Sequence, residues 1–157
     1  MSQRIEFKIW DAQNKRMLKM NPLQSVRIFQ DGSGHLIDSD DDDTILCSFK
    51  SSWYNGDSNK LIMGIGFTDK NGAKIFNGDI IRVYTTYEPN EEDGIENVYT
   101  DHVVEYRDEY DYPAFDLIPE LCPEHNSISD MLCNDNYQHY EIIGNIYETP
   151  QLIPTKK

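Results

Sequence analysis

The stretch GFTDKNGAKIFNGDIIRVY, residues 66–84, decides the fold because it contains two Asn-Gly pairs six residues apart. Glycine reaches positive φ angles without steric cost and asparagine tolerates the left-handed region, so Asn71-Gly72 is typical of a type I′ hairpin turn. Residues 64–68 and 73–76, on either side of this pair, alternate apolar and polar side chains. The pattern predicts that they are the two arms of a β-hairpin.

The second Asn-Gly pair predicts another sharp reversal directly after that hairpin. Asn77, Gly78 and Asp79 combine residue types that occupy tight turns, and the β-branched and aromatic run IIRVYTTY follows at once. We expect Asp79 to bond to backbone amides of its own turn. Two reversals this close together indicate a small, strongly curved antiparallel sheet.

Alternating patterns predict further strands on both sides of this stretch. They occur at residues 5–10, in a second hairpin over 26–37, and at 44–49. We also predict that residues 98–110 pair with 79–87 across an acidic hairpin tip. Such a succession of short strands is typical of a mainly β chain.

The C-terminal third contains the one helix that the sequence favours. In NSISDMLCN, residues 126–134, the apolar side chains have helical spacing, and Ser127 is placed to cap the first turn. The final segment YEIIGNIYETPQLI, residues 140–153, predicts a strand, a turn at Gly144 and Asn145, and a brief apolar run.

Size and charge limit the class of protein. The 157 residues suit a single domain over 1–157, and 28 acidic against 14 basic side chains give a formal net charge of −14. Affinity for nucleic-acid backbones comes from Lys and Arg side chains that displace counterions, so direct DNA or RNA binding is disfavoured. The same charge suits a partner with a basic surface.

The location of the protein is predicted from its cysteines and its apolar segments. Three cysteines exclude a fully paired disulfide framework and favour reduced thiols. Residues 1–18 contain no continuous apolar segment of signal-peptide length, and nowhere do eighteen apolar residues follow one another. We therefore expect a cytoplasmic protein that makes no membrane contact.

Cysteine and histidine side chains raise the question of a zinc site. Cys122 and His125 have the spacing of a ligand pair, but Cys133 and His139 are of mixed type and lie at the upper limit of the usual spacing. Buried cysteines and surface histidines are the more ordinary interpretation. The sequence therefore predicts no metal and no other cofactor.

The acidic run DSDDDD invites a calcium interpretation. Asp38, Asp40 and Asp42 match the first acidic positions of an EF-hand loop. The match then fails, because Asp43 replaces the glycine of the sharp turn and Phe49 stands where a bidentate Glu is required. We expect a solvated loop.

The sequence contains no motif of nucleophilic catalysis or nucleotide binding. It lacks the Gly-x-Ser-x-Gly elbow, and Gly64-x-Gly66 precedes a strand and a turn rather than a helix. We therefore expect a protein without enzymatic activity.

Two acidic loops and a group of tyrosines form the candidate interaction surface. The loops, at about residues 38–43 and 88–97, are expected to be mobile because like charges repel and no periodic apolar face anchors them. Tyrosine is favoured at protein interfaces because its rigid ring is amphipathic. The candidate surface consists of Asp40, Asp41, Asp42, Asp43, Glu91, Glu92, Asp93, Tyr110 and Tyr112.

Three stretches, in this order, resemble the signatures of the YopX family. They are IEFKIWDAQNKRM at the start, GFTDKNGAKIFNGDIIRV in the middle and IIGNIYETPQLI at the end. The family opens on aromatic-Lys/Arg-x-Trp-Asp, continues with Asp-Lys-Asn-Gly and Gly-Asp-Ile-Ile/Val, and closes on Ile-Gly-Asn-Ile-Tyr-Glu-Asn-Pro. All three are matched here, with Thr149 where the last signature usually has Asn.

The resemblance implies bifurcated, coiled antiparallel sheets that form a pseudo-barrel with SH3-like barrel elements. It implies origin in a temperate bacteriophage or a prophage, and it implies no established activity. Most of the recurring residues are typical of structural roles. The predicted structural turns are Asn71, Gly72, Asn77, Gly78, Asp79, Gly144 and Asn145.

Together these features predict a phage or prophage accessory protein that acts by binding a host or phage protein, with self-association left open. One alternative is an acidic mimic of nucleic acid, in which the loops at 38–43 and 88–97 occupy the basic cleft of a host enzyme. A second alternative is a metal-dependent enzyme built on the cysteine and histidine group.

Overall fold

The structure, a computed structural model, consists mainly of antiparallel β-strands. It divides into two compact units, Met1–Gly64 and Ile65–Lys157, and each has a hydrophobic core of its own. The single-domain prediction for 1–157 stays a prediction. The residues that the structure describes are 6–31, 33–38, 44–50, 58–87, 96–107, 114–119 and 139–155.

The first unit is built from short strands joined by hairpins. They are β1 (Phe7–Asp11), β2 (Arg16–Lys19), β3 (Gln24–Ile28), β4 (Gly34–Asp38), β5 (Thr44–Phe49) and β6 (Lys60–Thr68), of which β6 continues into the second unit. Strand β1 pairs with β2 and with the first residues of β6, and β3, β4 and β5 form a separate antiparallel sheet. A bulge between Leu36 and Ile37 shifts the register of β4 against β5.

Alternation along these strands brings apolar side chains into a common core. Ile9, Leu36 and Phe49 are buried at its centre. Partly buried side chains surround them, namely Leu18, Met20, Val26, Cys47 and Leu61. The strands predicted within residues 5–10, 26–37 and 44–49 are therefore confirmed over the residues that the structure describes.

The first hairpin is fixed by Asp11. Its carboxylate accepts hydrogen bonds from the backbone N–H and the side-chain amide of Asn14, at 3.2 and 2.8 Å, and Arg16 Nε lies 3.4 Å away. The Asn14 amide is the main cause of a pKa of Asp11 below its usual value. Lys15 has φ 51°, so the turn passes through the left-handed region.

The second unit contains one four-stranded antiparallel sheet in the order β10-β9-β8-β11. Its elements are β7 (Lys74–Phe76), β8 (Asp79–Tyr87), β9 (Glu96–Arg107), β10 (Ala114–Ile118), β11 (His139–Asn145) and a 3₁₀ turn at Pro150–Leu152, and β7 lies beside β6. The predicted pairing between residues 79–87 and 98–110 is confirmed over the part of the second range that the structure describes.

The core of this unit lies on one face of the sheet. Its buried residues are Ile75, Ile81, Val83, Val104 and Leu117. Strand β10 contributes Leu117 and was not among the predicted strands, because five residues between two prolines give too short an alternation to recognise.

The turn after β6 differs from the sequence prediction. Gly72 has φ 79°, as expected, but Asn71 keeps a negative φ, so the predicted type I′ turn is wrong. The Gly72 N–H donates to the Asp69 carbonyl at 3.0 Å, and the Asp69 N–H donates to the Ala73 carbonyl at 2.8 Å. These bonds describe a three-residue loop in which glycine occupies the left-handed position of a G1 bulge.

The predicted turn at Gly144 and Asn145 is also wrong. Both residues belong to β11, Gly144 at a bulge beside Ile142, and the chain turns only at residues 146–148. A Cβ on Gly144 would collide with the Thr149 side chain. Glycine is therefore required here because the Thr149 side chain lies close to the backbone, and not because the chain reverses direction. The predicted helix at residues 126–134 lies outside the described residues.

Candidate interaction surface

Strand alternation gives the second sheet a polar and aromatic outer face. In β8, Ile81 and Val83 point into the core, so Arg82 and Tyr84 point to the opposite side. The pairing register sets Arg82 between Glu141 of β11 and Asp101 of β9, and it sets Tyr84 opposite Tyr99. Lys70, from the loop after β6, reaches the same face. We call Lys70, Arg82, Tyr84, Tyr99, Asp101 and Glu141 the tyrosine face.

Arg82 is held in one position by a bidentate ion pair. Its Nε and one terminal nitrogen donate to the two carboxylate oxygens of Asp101 at 2.7 and 2.9 Å. This hydrogen bonding is the main cause of a raised pKa of Arg82, which stays charged. The guanidinium carbon lies 4.1 Å from the centre of the Tyr99 ring, in a cation–π arrangement.

Tyr99 remains 52% exposed despite that contact. One side of its ring is covered by Arg82, and the Tyr84 ring lies beside it with a centroid distance of 6.1 Å. Tyr99 is therefore presented to solvent in a fixed orientation, beside the partly buried Tyr84.

Glu141 organises the other half of the tyrosine face. Its carboxylate accepts a 2.6 Å hydrogen bond from the Tyr84 hydroxyl and a 2.8 Å ion pair from Lys70 Nζ, which also lies 4.8 Å from the centre of the Tyr84 ring. The Lys70 contact is the main cause of a lowered pKa of Glu141, and the Glu141 contact raises the pKa of both Lys70 and Tyr84.

The charges within the tyrosine face cancel. Two cations, Lys70 and Arg82, are each paired with a carboxylate, and the Tyr84 hydroxyl is bonded as well. Such a surface offers ring area and pre-positioned polar groups, and it presents no poised nucleophile or base among these six residues.

A buried histidine lies in the same sheet. His102 is 2% exposed, its Nδ1 lies 2.6 Å from the Pro119 carbonyl, and its Nε2 lies 2.7 Å from the Thr100 hydroxyl. Since a carbonyl only accepts, Nδ1 carries the proton and Nε2 accepts from Thr100. Both ring nitrogens therefore have hydrogen-bond partners within the fold. Burial lowers the pKa of His102.

This lowered pKa predicts a loss of stability in mild acid. The unfolded chain takes up a proton on His102 near its ordinary pKa of about 6.5, whereas the folded chain resists it, so stability falls by up to about 1.4 kcal/mol per pH unit below that pH. Urea melts between about pH 7 and pH 5 should show this slope, and His102→Asn should flatten it. Identical slopes in both proteins would contradict the assignment.

Asp69 joins the middle and final sequence signatures. It is 7% exposed, and its carboxylate accepts backbone N–H bonds from Asn71, Ala73 and Ile142 at 2.9, 2.9 and 3.1 Å. Burial alone would raise the pKa of Asp69, but these donors outweigh it and hold the pKa below its usual value. The Lys70 N–H also donates to the Tyr140 carbonyl, at 3.0 Å, so this loop is bonded to β11.

A second junction forms around Gly78. Its N–H donates to the Val104 carbonyl at 2.7 Å, and its own carbonyl accepts from Ile146 at 2.9 Å. Asp79 accepts from the Phe76 N–H at 2.8 Å, as predicted, and the Asn145 carboxamide oxygen accepts from the two N–H groups of residues 147 and 148. Gly78, Asp79 and Asn145 therefore hold these turns together.

The predicted interaction residues do not lie in the described part of the structure. Asp40–Asp43, Glu91–Asp93, Tyr110 and Tyr112 fall outside it, as do Cys122, His125 and Cys133, and the proposals that depend on them stay predictions. His139 is exposed. Within the described ranges, no group of three or more His, Cys, Asp or Glu side chains is placed to hold a metal ion.

Sequence reasoning missed the tyrosine face. The alternation of Arg82 with Tyr84 and of Tyr99 with Asp101 is visible in the sequence, but only the register of β8 against β9 shows that the two pairs meet.

A search of the described residues for a membrane-spanning helix of sufficient length and apolar character found none.

Comparison with solved structures identifies a protein of similar fold. The chain is similar over 98% of its length to the whole of a solved chain, protein EF1440 from Enterococcus faecalis, with a TM-score of 0.53 and 23% sequence identity. That likeness concerns the fold, and it confirms the predicted mainly β class: antiparallel strands make up most of the described residues, where the 3₁₀ turn at Pro150–Leu152 is the one helical element.

The family itself is assigned by sequence. A comparison with curated proteins found no match. The family model described as YopX protein matches residues 6–154, which include all three signatures from Glu6 onward. The chain belongs to the YopX family.

Proposed function

We propose that this protein is a non-enzymatic binding module that recognises another protein through the tyrosine face. The observation that carries the proposal is Tyr99, which stays more than half exposed while Arg82 stacks on its ring and Asp101 fixes Arg82. Family membership supports a role as a phage or prophage accessory protein, acting in the bacterial cytoplasm on a host or phage partner.

Ordering side chains at an interface costs free energy that a pre-ordered surface does not lose on binding. Tyrosine and arginine are enriched among the residues that dominate binding energy, and tyrosine covers a large area with only two side-chain torsions. Immobilising a rotamer-rich side chain costs about 0.5–1.5 kcal/mol of conformational entropy on binding. The ion pairs of Arg82 and Lys70 already restrict these two side chains in the unbound protein, so less entropy is lost when the partner binds.

Charge defines the complementary surface. The chain carries a net charge of −14, whereas the cations and anions of the tyrosine face balance one another. The remainder of the surface therefore attracts a basic partner over long range, and the neutral tyrosine face provides the short-range contact. Association should weaken with added salt mainly through a slower on-rate.

Tyr99→Ala is expected to abolish partner capture without unfolding the protein. The affinity-tagged chain is incubated with a nuclease-treated bacterial lysate, and recovered proteins are compared between the parent and the variant. Loss of an interface aromatic at the centre of a contact costs about 2 kcal/mol or more, which is roughly a thirtyfold loss of affinity. Urea melts verify that stability changes by less than about 1 kcal/mol.

Phe29→Ala is the matched control. Phe29 is an aromatic residue of the first unit, 43% exposed, that contacts His35 edge to face. This variant should recover the same partner as the parent. A partner lost by Phe29→Ala and kept by Tyr99→Ala would contradict the assignment, as would failure of every form to recover a protein.

A further inference from the structure

We propose that Asn71 is a site of spontaneous deamidation in the folded protein, and that the fold protects the neighbouring pair Asn77-Gly78 from the same reaction. Asn-Gly pairs are chemically prone to this change because glycine leaves the following amide nitrogen sterically open. The sequence of the second unit thus contains two chemically equivalent pairs, six residues apart, in different structural settings.

The reaction needs only water. The Gly72 amide nitrogen loses its proton and attacks Cγ of Asn71, a new C–N bond closes a five-membered imide, and the Cγ–Nδ2 bond breaks with release of ammonia. Water then opens the ring at one of its two carbonyls. The products are aspartate and isoaspartate, and the latter adds a methylene to the main chain.

Asn71 lies where this ring can close after a local movement. Asn71 and Gly72 are both exposed, in the loop between β6 and β7. The Gly72 N–H donates to a residue of the same loop, the Asp69 carbonyl, at 3.0 Å. The Asn71 side chain also bonds within the loop, to the Asp69 carboxylate. Opening one surface loop frees both reacting groups, and such openings have low free energies.

Asn77 is restrained from two directions by β9. Its carboxamide oxygen accepts the Tyr106 N–H at 3.2 Å, and the N–H of the buried Gly78 donates to the Val104 carbonyl at 2.7 Å. Ring closure therefore requires that the turn detach from a central strand of the sheet. Openings of that kind approach the free energy of global unfolding.

Deamidation at Asn71 should weaken the loop that contains it. The N–H groups of Asn71 and Ala73 converge on one carboxylate oxygen of Asp69, on either side of the reacting bond. An added methylene displaces these donors relative to each other, and a new carboxylate appears beside a buried one. The isoaspartate form is therefore expected to melt at a lower urea concentration than the parent.

Peptide mapping by mass spectrometry tests the proposal directly. The folded chain is incubated in mildly alkaline buffer, and the conversion of amide to carboxylate at positions 71 and 77 is followed over time. We expect Asn71 to react at least about tenfold faster than Asn77 in the folded chain, and the two rates to converge in urea. Asn71→Gln should remove the product at position 71 and leave position 77 unchanged.

Equal rates at the two positions in the folded protein would overturn the proposal, as would faster reaction at Asn77. If Asn71→Gln lowers the folded fraction, the parent alone still decides the matter, because its two positions are compared within one molecule. A rate difference that persists in urea would also overturn it, since the cause would then be local sequence and not the fold.

Discussion

Gly78→Val is expected to lower the free energy of unfolding by about 3 kcal/mol or more, roughly twice the effect of Gly72→Val. Both glycines have positive φ, at 86° and 79°, which strains a β-branched side chain. They differ in the room available for a side chain. A Cβ on Gly78 would lie 3.0 Å from the Tyr147 ring and 3.3 Å from the Ile146 side chain, whereas a Cβ on Gly72 would meet nothing within 4 Å.

Urea melts of the two variants measure this difference. Gly72→Val should cost about 1–2 kcal/mol from backbone strain alone, so it serves as the control for conformation without collision. If Gly78→Val were as stable as Gly72→Val, the collision at this junction would be absent. If both matched the parent, the positive φ angles themselves would be wrong.

Asp69→Asn is expected to destabilise the protein by about 2–4 kcal/mol, because a neutral carboxamide replaces a carboxylate that accepts three backbone N–H bonds. The carboxamide keeps one acceptor oxygen and directs an NH₂ group at an N–H donor. Asn71, Ala73 or Ile142 would then lose a partner within a nearly buried site.

Asp31→Asn provides the matched control for this substitution. Asp31 accepts bonds from the backbone N–H and the hydroxyl of Ser33 in an exposed turn, so the same chemical change should cost less than about 1 kcal/mol there. Equal costs for the two variants would show that Asp69 does not join the loop to β11.

The strands were predictable because apolar and polar residues alternate with a period of two, and burial of the apolar side chains drives folding. The alternation in residues 5–10 and in IIRVYTTY requires one apolar face, and Ile9 and Val83 are fully buried as a result. Positive φ at Gly72 and Gly78 follows from local chemistry as well.

Long-range contacts explain what the sequence did not reveal. The turn type at Asn71 depends on a carboxylate that also binds Ile142, 73 residues further along the chain than Asp69. The local sequence predicts a turn at Gly144, whereas the glycine lets the Thr149 side chain approach β11. Neither contact leaves a local pattern, because both arise from the pairing of distant segments.

The tyrosine face could not be predicted from the sequence for the same reason. Tyr110 and Tyr112, which the sequence favours because they stand beside acidic residues, lie outside the described residues. Tyr84 and Tyr99 come together only through the register of two strands. The ion pair of Arg82 with Asp101, which fixes the exposed ring, has the same origin.

We propose that a partner protein contacts the tyrosine face, and site-specific photo-crosslinking tests this contact most directly. A benzophenone amino acid is placed at position 99 in one protein and at position 29 in another, since both replace exposed aromatic residues. After irradiation in a bacterial lysate, we expect a covalent adduct of defined mass from position 99 and none from position 29. An adduct from position 29 alone, or from neither position, would contradict the claim.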